Sequence, residues 1–238
     1  MSQTRDIIYP NEPPNCRVIT VKSYNRRQVL SRLVGSAAVL AVSNVLAKVG
    51  INLKPTPNEI EGPFYPVVAQ KDRDFDLTQT KGQSGTAQGL IIFIEGIVLN
   101  ERGEPVENAV VDLWQANALG RYSHPSDPNK APIDPNFQGW AIVPSGVNGT
   151  FRFKTIFPGS YPAAQGWLRP PHIHFKVSKP GYQELTTQMY FPGHELNVKD
   201  LLLLRKTPAE RELMLAKKKI MLALIEEIFK FTIVLQSA

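Results

Sequence analysis

GLIIFIEGIVLN (residues 89–100), ERGEP (101–105) and AVVDLW (109–114) decide the fold class of this chain. The first and third segments are rich in β-branched residues, which suit a pleated, half-buried surface. The charged Gly/Pro segment between them reads as a turn. Strand, turn and strand therefore follow one another directly. The same texture returns in GTFRFKTI (149–156), an alternating run expected at the edge of the core. It returns again in residues 172–177 and 185–191, two strands flanking Lys179, Pro180 and Gly181. Residues 48–66 read as a Pro-rich extended arm, and residues 122–136 as a loop carrying four prolines. Residues 207–228 are rich in Leu, Ala, Glu and Lys and open on Thr207–Pro208, so they are expected to form a helix. The three lysines Lys217, Lys218 and Lys219 would then be its solvated face. The chain reads as mainly β with a helix near its C-terminus.

The chain has four histidines, and two of them stand in RPPHIHF as His172 and His174. On a strand, residues two apart point to the same face. An isolated His-x-His is more often a polar pair on a half-exposed strand than a metal site. Here two tyrosines precede it, Tyr122 in GRYSHP and Tyr161 in GSYP. Either tyrosine alone would be read as a core aromatic. Two phenols and two imidazoles together make a mixed N/O donor set. Zinc more usually gathers His, Cys and carboxylate. A phenol with a reference pKa of ~10 is ionised at neutral pH only beside a highly charged metal, which favours ferric iron.

The surrounding sequence resembles the intradiol ring-cleavage dioxygenases, especially the iron-bearing chain of the protocatechuate 3,4-dioxygenases. The matching segments are EGPFYP (61–66), VDLWQANALGRYSHP (111–125), APIDPNFQGWA (131–141), FRFKTIFPGSYP (151–162), WLRPPHIHFKV (167–177) and TQMYFPG (187–193). FKFTIVL (229–235) resembles the family's closing strand, and the order of the segments is kept throughout. The resemblance implies a β-sandwich core of mixed topology and a non-haem Fe(III) cofactor. Position by position, it implies Tyr122, Tyr161, His172 and His174 as iron ligands, with Tyr161 the one that leaves when substrate binds. Arg169 matches the family's active-site arginine, and Gln188 a polar residue beside the same pocket.

The implied reaction uses O2 to cleave a catechol between its two hydroxyl-bearing carbons, giving a muconate-type diacid. Both catechol protons must be removed; a departing Tyr161 phenolate can take one, and an iron-bound hydroxide can take the other. Arg169 would stabilise negative charge that builds on the ring. Two departures concern the substrate. The protocatechuate enzymes carry a tryptophan after the Tyr-Pro of the axial turn, where this chain has Ala163. The segment from Tyr161 to His172 is also two residues shorter. Protocatechuate, plain or substituted catechol and hydroxyquinol are all open at this stage.

The first 47 residues read separately. Arg26 and Arg27 precede an apolar run over residues 33–47 that ends in Val45, Leu46 and Ala47. This pattern reads as a twin-arginine signal peptide over residues 1–47, followed by a dioxygenase domain over 48–238. The run is too short and too interrupted for a stable membrane span, which needs ~20 apolar residues. The expected location is periplasmic or extracellular. The leader holds six of the basic residues and two of the acids, so it carries +4 of the net +6. Nucleic-acid binding is therefore not expected. The single cysteine, Cys16, also lies in the leader. A homo-oligomer is expected by resemblance. The competing reading is a non-catalytic, exported β-sandwich module of transthyretin-like type, because residues 96–114 also resemble the opening of such domains.

Overall fold

The β-branched and aromatic runs form two four-stranded sheets whose apolar faces enclose one core. The computed structural model describes residues 52–68, 72–219 and 227–238. Residues 1–47, the expected leader, and with them Cys16 lie outside these residues. One sheet is ordered β4-β1-β10-β9, from β1 (Ile91–Asn100), β4 (Thr150–Ile156), β9 (Lys217–Lys219) and β10 (Glu227–Leu235). The other is β3-β2-β7-β8, from β2 (Val110–Trp114), β3 (Trp140–Pro144), β7 (His172–Ser178) and β8 (Leu185–Tyr190). A small hairpin pairs β5 (Tyr161–Ala164) with β6 (Trp167–Arg169). β1 and β10 run parallel and the other pairs are antiparallel, which is the mixed topology expected.

Alternation assigns the two faces of each strand. Ile92, Ile94 and Val98 of β1, with Phe229, Phe231 and Ile233 of β10, turn inward from the first sheet. Val111 and Leu113 of β2, with Ile173, Phe175 and Val177 of β7, meet them from the second. Gly96 lies opposite Phe151 across β1 and β4, and a Cβ there would fall 1.9 Å from the Phe151 ring. The phenyl ring thus fills the space the glycine leaves in the strand.

The period-two rule has a further consequence in β7. If odd-numbered residues face the core, His172 and His174 must face away from it. Both are nevertheless buried. Their cover is the N-terminal arm, which lies against the sheets through main-chain bonds. Thr56 N–H donates to Val234 O (3.0 Å) and Glu59 N–H to Thr186 O (2.7 Å). Thr187 Oγ1 donates to Pro57 O (2.8 Å), and Gln188 Nε2 to Ile60 O (3.1 Å). Tyr65 OH then donates to Asp112 Oδ2 (2.7 Å) on the outer face of β2. The outer face of this sheet is thereby a second, polar interior.

The C-terminal helix is a correction to the sequence reading. Thr207 caps it with a reciprocal Thr–Glu210 capping box and Pro208 opens it, as expected, but α1 spans only Pro208–Met214. Leu215 is extended and bridges Tyr190, and Ala216 N–H donates to Tyr190 O (2.9 Å). Lys217–Lys219 then pair antiparallel with β10. The Leu/Ala/Glu/Lys composition favours helix locally, but free sheet-edge partners outweigh a few tenths of a kcal/mol per residue. The lysines are therefore not a helix face. Lys218 pairs with Glu227 and Lys219 with Glu95, on an edge where lysines discourage strand addition. Residues 220–226 lie outside the described residues, and Glu227 and Ile228, the end of the expected helix, open β10 instead.

Candidate metal centre

Four side chains from three separate segments converge on the outer face of β7. The register places His174 opposite Trp114 on one side and Gln188 on the other, and His172 opposite Tyr190. The His174 imidazole stacks on Trp114 at 4.7 Å and 14°. Tyr122 enters from the loop after β2. That loop is held by side-chain-to-backbone bonds, in which Asn117 Oδ1 accepts from Leu119 and Arg121 and Asp127 Oδ2 accepts from the Tyr122 N–H (2.6 Å). Tyr161 enters at the start of β5, opposite Arg169 of β6. The sequence placed Tyr161 in a turn; it stands at the turn-to-strand boundary.

Two glycines let the tyrosine-bearing segments meet. Gly120 has a φ of 75°, and a Cβ on it would sit 2.2 Å from the Ser160 carbonyl oxygen. A Cβ on Gly159 would sit 2.4 Å from the Gly120 nitrogen. The two backbones are therefore in direct contact just before each tyrosine, and the Tyr122 and Tyr161 rings pack edge-on at 5.4 Å.

The polar atoms at the centre lie close together. His172 Nδ1 is 2.7 Å from Pro170 O, and a carbonyl can only accept, so Nδ1 carries the hydrogen. Nε2 of a neutral His172 then presents a lone pair. It lies 3.2 Å from His174 Nε2, which is itself 3.2 Å from the Tyr122 hydroxyl. His174 Nδ1 is buried without a protein partner. Burial, and then the Arg169 charge, hold both imidazoles well below the usual histidine range, so they stay neutral donors. Burial pushes the Tyr122 phenol well up and the Tyr161 phenol up, the latter opposed by Arg169. Two neutral imidazoles and two buried phenols thus crowd one buried point, and His174 Nδ1 has no protein partner there. A cation among them would take up imidazole and phenol donor atoms together, so the donor set fits a metal. The Nδ1–H···O=C bond of His172 is the outer contact that orients a metal-bound imidazole. Among the described residues no three His, Cys, Asp or Glu side chains gather elsewhere as an alternative metal site.

Arg169 is the buried charge beside this cluster. It donates from Nε to Asp200 Oδ2 (2.9 Å), and from Nη2 to Gln188 Oε1 (2.8 Å) and Tyr190 OH (2.7 Å). Its Nη1 lies 3.2 Å from His172 Nε2. The Arg169 and Asp200 side chains are 4% and 0% exposed, a fully desolvated ion pair. The sequence reading named Arg169 and Gln188, which the structure places side by side, but did not name Asp200, Tyr190 or Trp114. A cavity of about 160 Å3 opens beside the cluster, with Tyr161, Arg169 and His174 in its wall.

A family model described as Dioxygenase (Dioxygenase_C) matches residues 60–237. The chain is 38% identical over 170 residues to the protocatechuate 3,4-dioxygenase beta chain of Burkholderia cepacia, covering 68% of this chain and 72% of that protein. It is 33% identical over 167 residues to catechol 1,2-dioxygenase 2 of Acinetobacter lwoffii, covering 65% of this chain and 57% of that enzyme. The chain thus spans little more than half the length of that catechol enzyme. In structure it is similar to the dioxygenase domain of a dioxygenase carbohydrate-binding protein fusion from Streptomyces sp. SirexAA-E. That match has a TM-score of 0.59 at 28% identity, and covers 78% of this chain and all of that one. With most of the described domain matched in sequence and in fold, the chain belongs to the intradiol ring-cleavage dioxygenases.

Proposed function

We propose that this protein is a non-haem Fe(III) dioxygenase that cleaves a catechol-type ring between its two hydroxyl-bearing carbons, using O2. The observation that carries the reading is the meeting of Tyr122, Tyr161, His172 and His174 at one buried point beside an open cavity. These four would hold the iron. When bound, ferric iron lowers the proton affinity of the catechol hydroxyls and draws electron density from the ring. The chain's own residues do the rest. Tyr161, which by resemblance to the family would leave the iron, would accept one catechol proton at its phenolate oxygen. Arg169 places a fixed positive charge beside the ring, where a dry surrounding makes it most effective. Gln188 fixes Arg169 through Oε1 and ties it to the arm through Nε2. The arm and the hairpin exclude water from the face of β7.

The non-catalytic binding module is not favoured, since a domain kept only for binding has no use for four convergent buried donors. The test is to supply the iron-loaded full chain with catechol and labelled O2. A ring-opened diacid carrying two labelled oxygens is expected. No oxygen uptake, or an aldehyde from cleavage outside the hydroxyl pair, would sink the reading.

We further propose that residues 1–47 direct twin-arginine export, a route that carries folded proteins and so allows iron loading before transport. Replacing Arg26 and Arg27 by lysine should leave the protein in the cytoplasmic fraction of a twin-arginine-competent host. Unchanged export would contradict this. Among the described residues no helix is long and apolar enough to cross a membrane. A homo-oligomer is proposed by resemblance to the family.

A further inference from the structure

We propose that Tyr65 and Asp112 are positioning residues for the metal centre, which hold the Trp114 indole in place against His174; this rests on the dioxygenase reading above. The two histidines are held differently. His172 has its ring fixed by the bond from Nδ1–H to Pro170 O (2.7 Å). His174 has no such bond, because its Nδ1 is buried without a protein partner. Packing bears on its ring instead. The Trp114 indole stacks on it at 4.7 Å and 14°. Gly62 of the arm also comes close, since a Cβ there would lie 3.6 Å from His174 Cε1. The stack thus takes the orienting part that an outer hydrogen bond plays for most metal-bound imidazoles.

Trp114 is buried, and its Nε1 has no hydrogen-bond partner among the described residues. Its neighbours, by contrast, are anchored. Tyr65 packs edge-on against it at 4.9 Å and 87°. Trp140 lies opposite it across β2 and β3. Both of these aromatic residues donate to one buried carboxylate. Tyr65 OH donates to Asp112 Oδ2 (2.7 Å) and Trp140 Nε1 to Asp112 Oδ1 (2.8 Å). Bonds to a carboxylate are stronger than bonds between neutral groups. Burial, and then the Asp112 carboxylate, push the Tyr65 phenol up, so it stays a donor.

Lys176 closes the assembly. It stands opposite Asp112 across β2 and β7, lies 4.1 Å over the Tyr65 ring, and pairs with Glu61 of the arm. One polar anchor therefore fixes the two rings beside Trp114, and Trp114 fixes His174. Neither Tyr65 nor Asp112 lines the cavity, so both act through His174 and not on the substrate.

The test uses the iron-loaded full chain, with Tyr65→Phe, Asp112→Asn and the double variant. Three quantities are read: iron affinity by competition with a chelator, the visible tyrosinate-to-iron band, and the urea midpoint. Tyr65→Phe keeps the ring and removes only the hydroxyl. Each single variant should bind iron roughly tenfold more weakly, the scale of losing an outer partner of a metal ligand, and should shift the band. The double variant should be little worse than the weaker single one, because both residues act through the same indole. Should Asp112→Asn fail to fold, Tyr65→Phe decides alone. Variants that lose stability but keep wild-type iron affinity and an unmoved band would confine Tyr65 and Asp112 to a structural role and overturn the proposal. Fully additive losses in the double variant would also overturn it. A folded wild-type chain that takes up no iron would instead overturn the dioxygenase reading on which it rests.

Discussion

Asp200→Ala is expected to destabilise the protein by about 3–5 kcal/mol, the usual cost of stripping one partner from a buried ion pair. Asp200 is completely buried, and its two oxygens serve β6 and the turn that follows Asp200 itself. Oδ2 accepts from Arg169 Nε, while Oδ1 accepts from the Leu202 and Leu203 N–H groups (3.0 and 2.9 Å). Removing it leaves the Arg169 guanidinium charged and desolvated, and leaves two main-chain donors without their acceptor. Asp200→Asn separates these contributions. The amide oxygen can still accept from the backbone, so the turn should persist while the charge balance of Arg169 is lost. The measurement is the urea midpoint of wild type and both variants. The expected order is wild type, then Asn, then Ala. An Ala variant as stable as wild type would show that Arg169 does not depend on Asp200. In the Asn variant, which keeps the turn, the affinity for catechol should fall along with the positioning of Arg169. Unchanged affinity would confine Asp200 to a structural role.

His174→Ala is expected to abolish stoichiometric iron binding. The side chain brings Nε2 to the centre of the donor cluster, 3.2 Å from both His172 Nε2 and the Tyr122 hydroxyl. Loss of a ligand must weaken binding by more than the ~10–100-fold that follows loss of an outer hydrogen-bond partner. Trp114 loses its stacking partner as well, so a folding control is needed. The urea midpoint and far-ultraviolet dichroism should show a folded variant, and iron analysis should then find less than one atom per several chains. Full iron occupancy in folded His174→Ala would exclude His174 as a ligand. Tyr122→Phe makes a milder companion. It keeps the ring that packs 5.0 Å from Phe64 but removes the phenol oxygen, so iron should be weakened with little change in stability.

Strand identity and the donor residues were legible because each rests on a local signal. The β-branched alternation of residues 91–100 and 150–156 directly produced β1 and β4. His172 and His174 share a face for the same reason, although their burial depends on the arm, which no residue near them announces. Asp200 was illegible because its partner Arg169 is 31 residues away. The only local hint is an aspartate placed before a leucine run, where it caps the following turn. The short strands β3, β5 and β6, of three to five residues, offer too little pattern to separate from loop. The overlong helix has the opposite cause. Residues 215–219 carry a helix-forming composition but find extended partners in Tyr190 and β10. Local preference of that size yields to tertiary pairing.

The central claim is that two tyrosines and two histidines hold ferric iron in a site open to catechol. The measurement that tests it most directly is the visible spectrum of the iron-loaded full chain without oxygen, before and after adding catechol. The account predicts a tyrosinate-to-iron absorption band that weakens in Tyr122→Phe and shifts when catechol is added. A folded protein that stays colourless with iron present, or a band that catechol leaves unmoved, would contradict it.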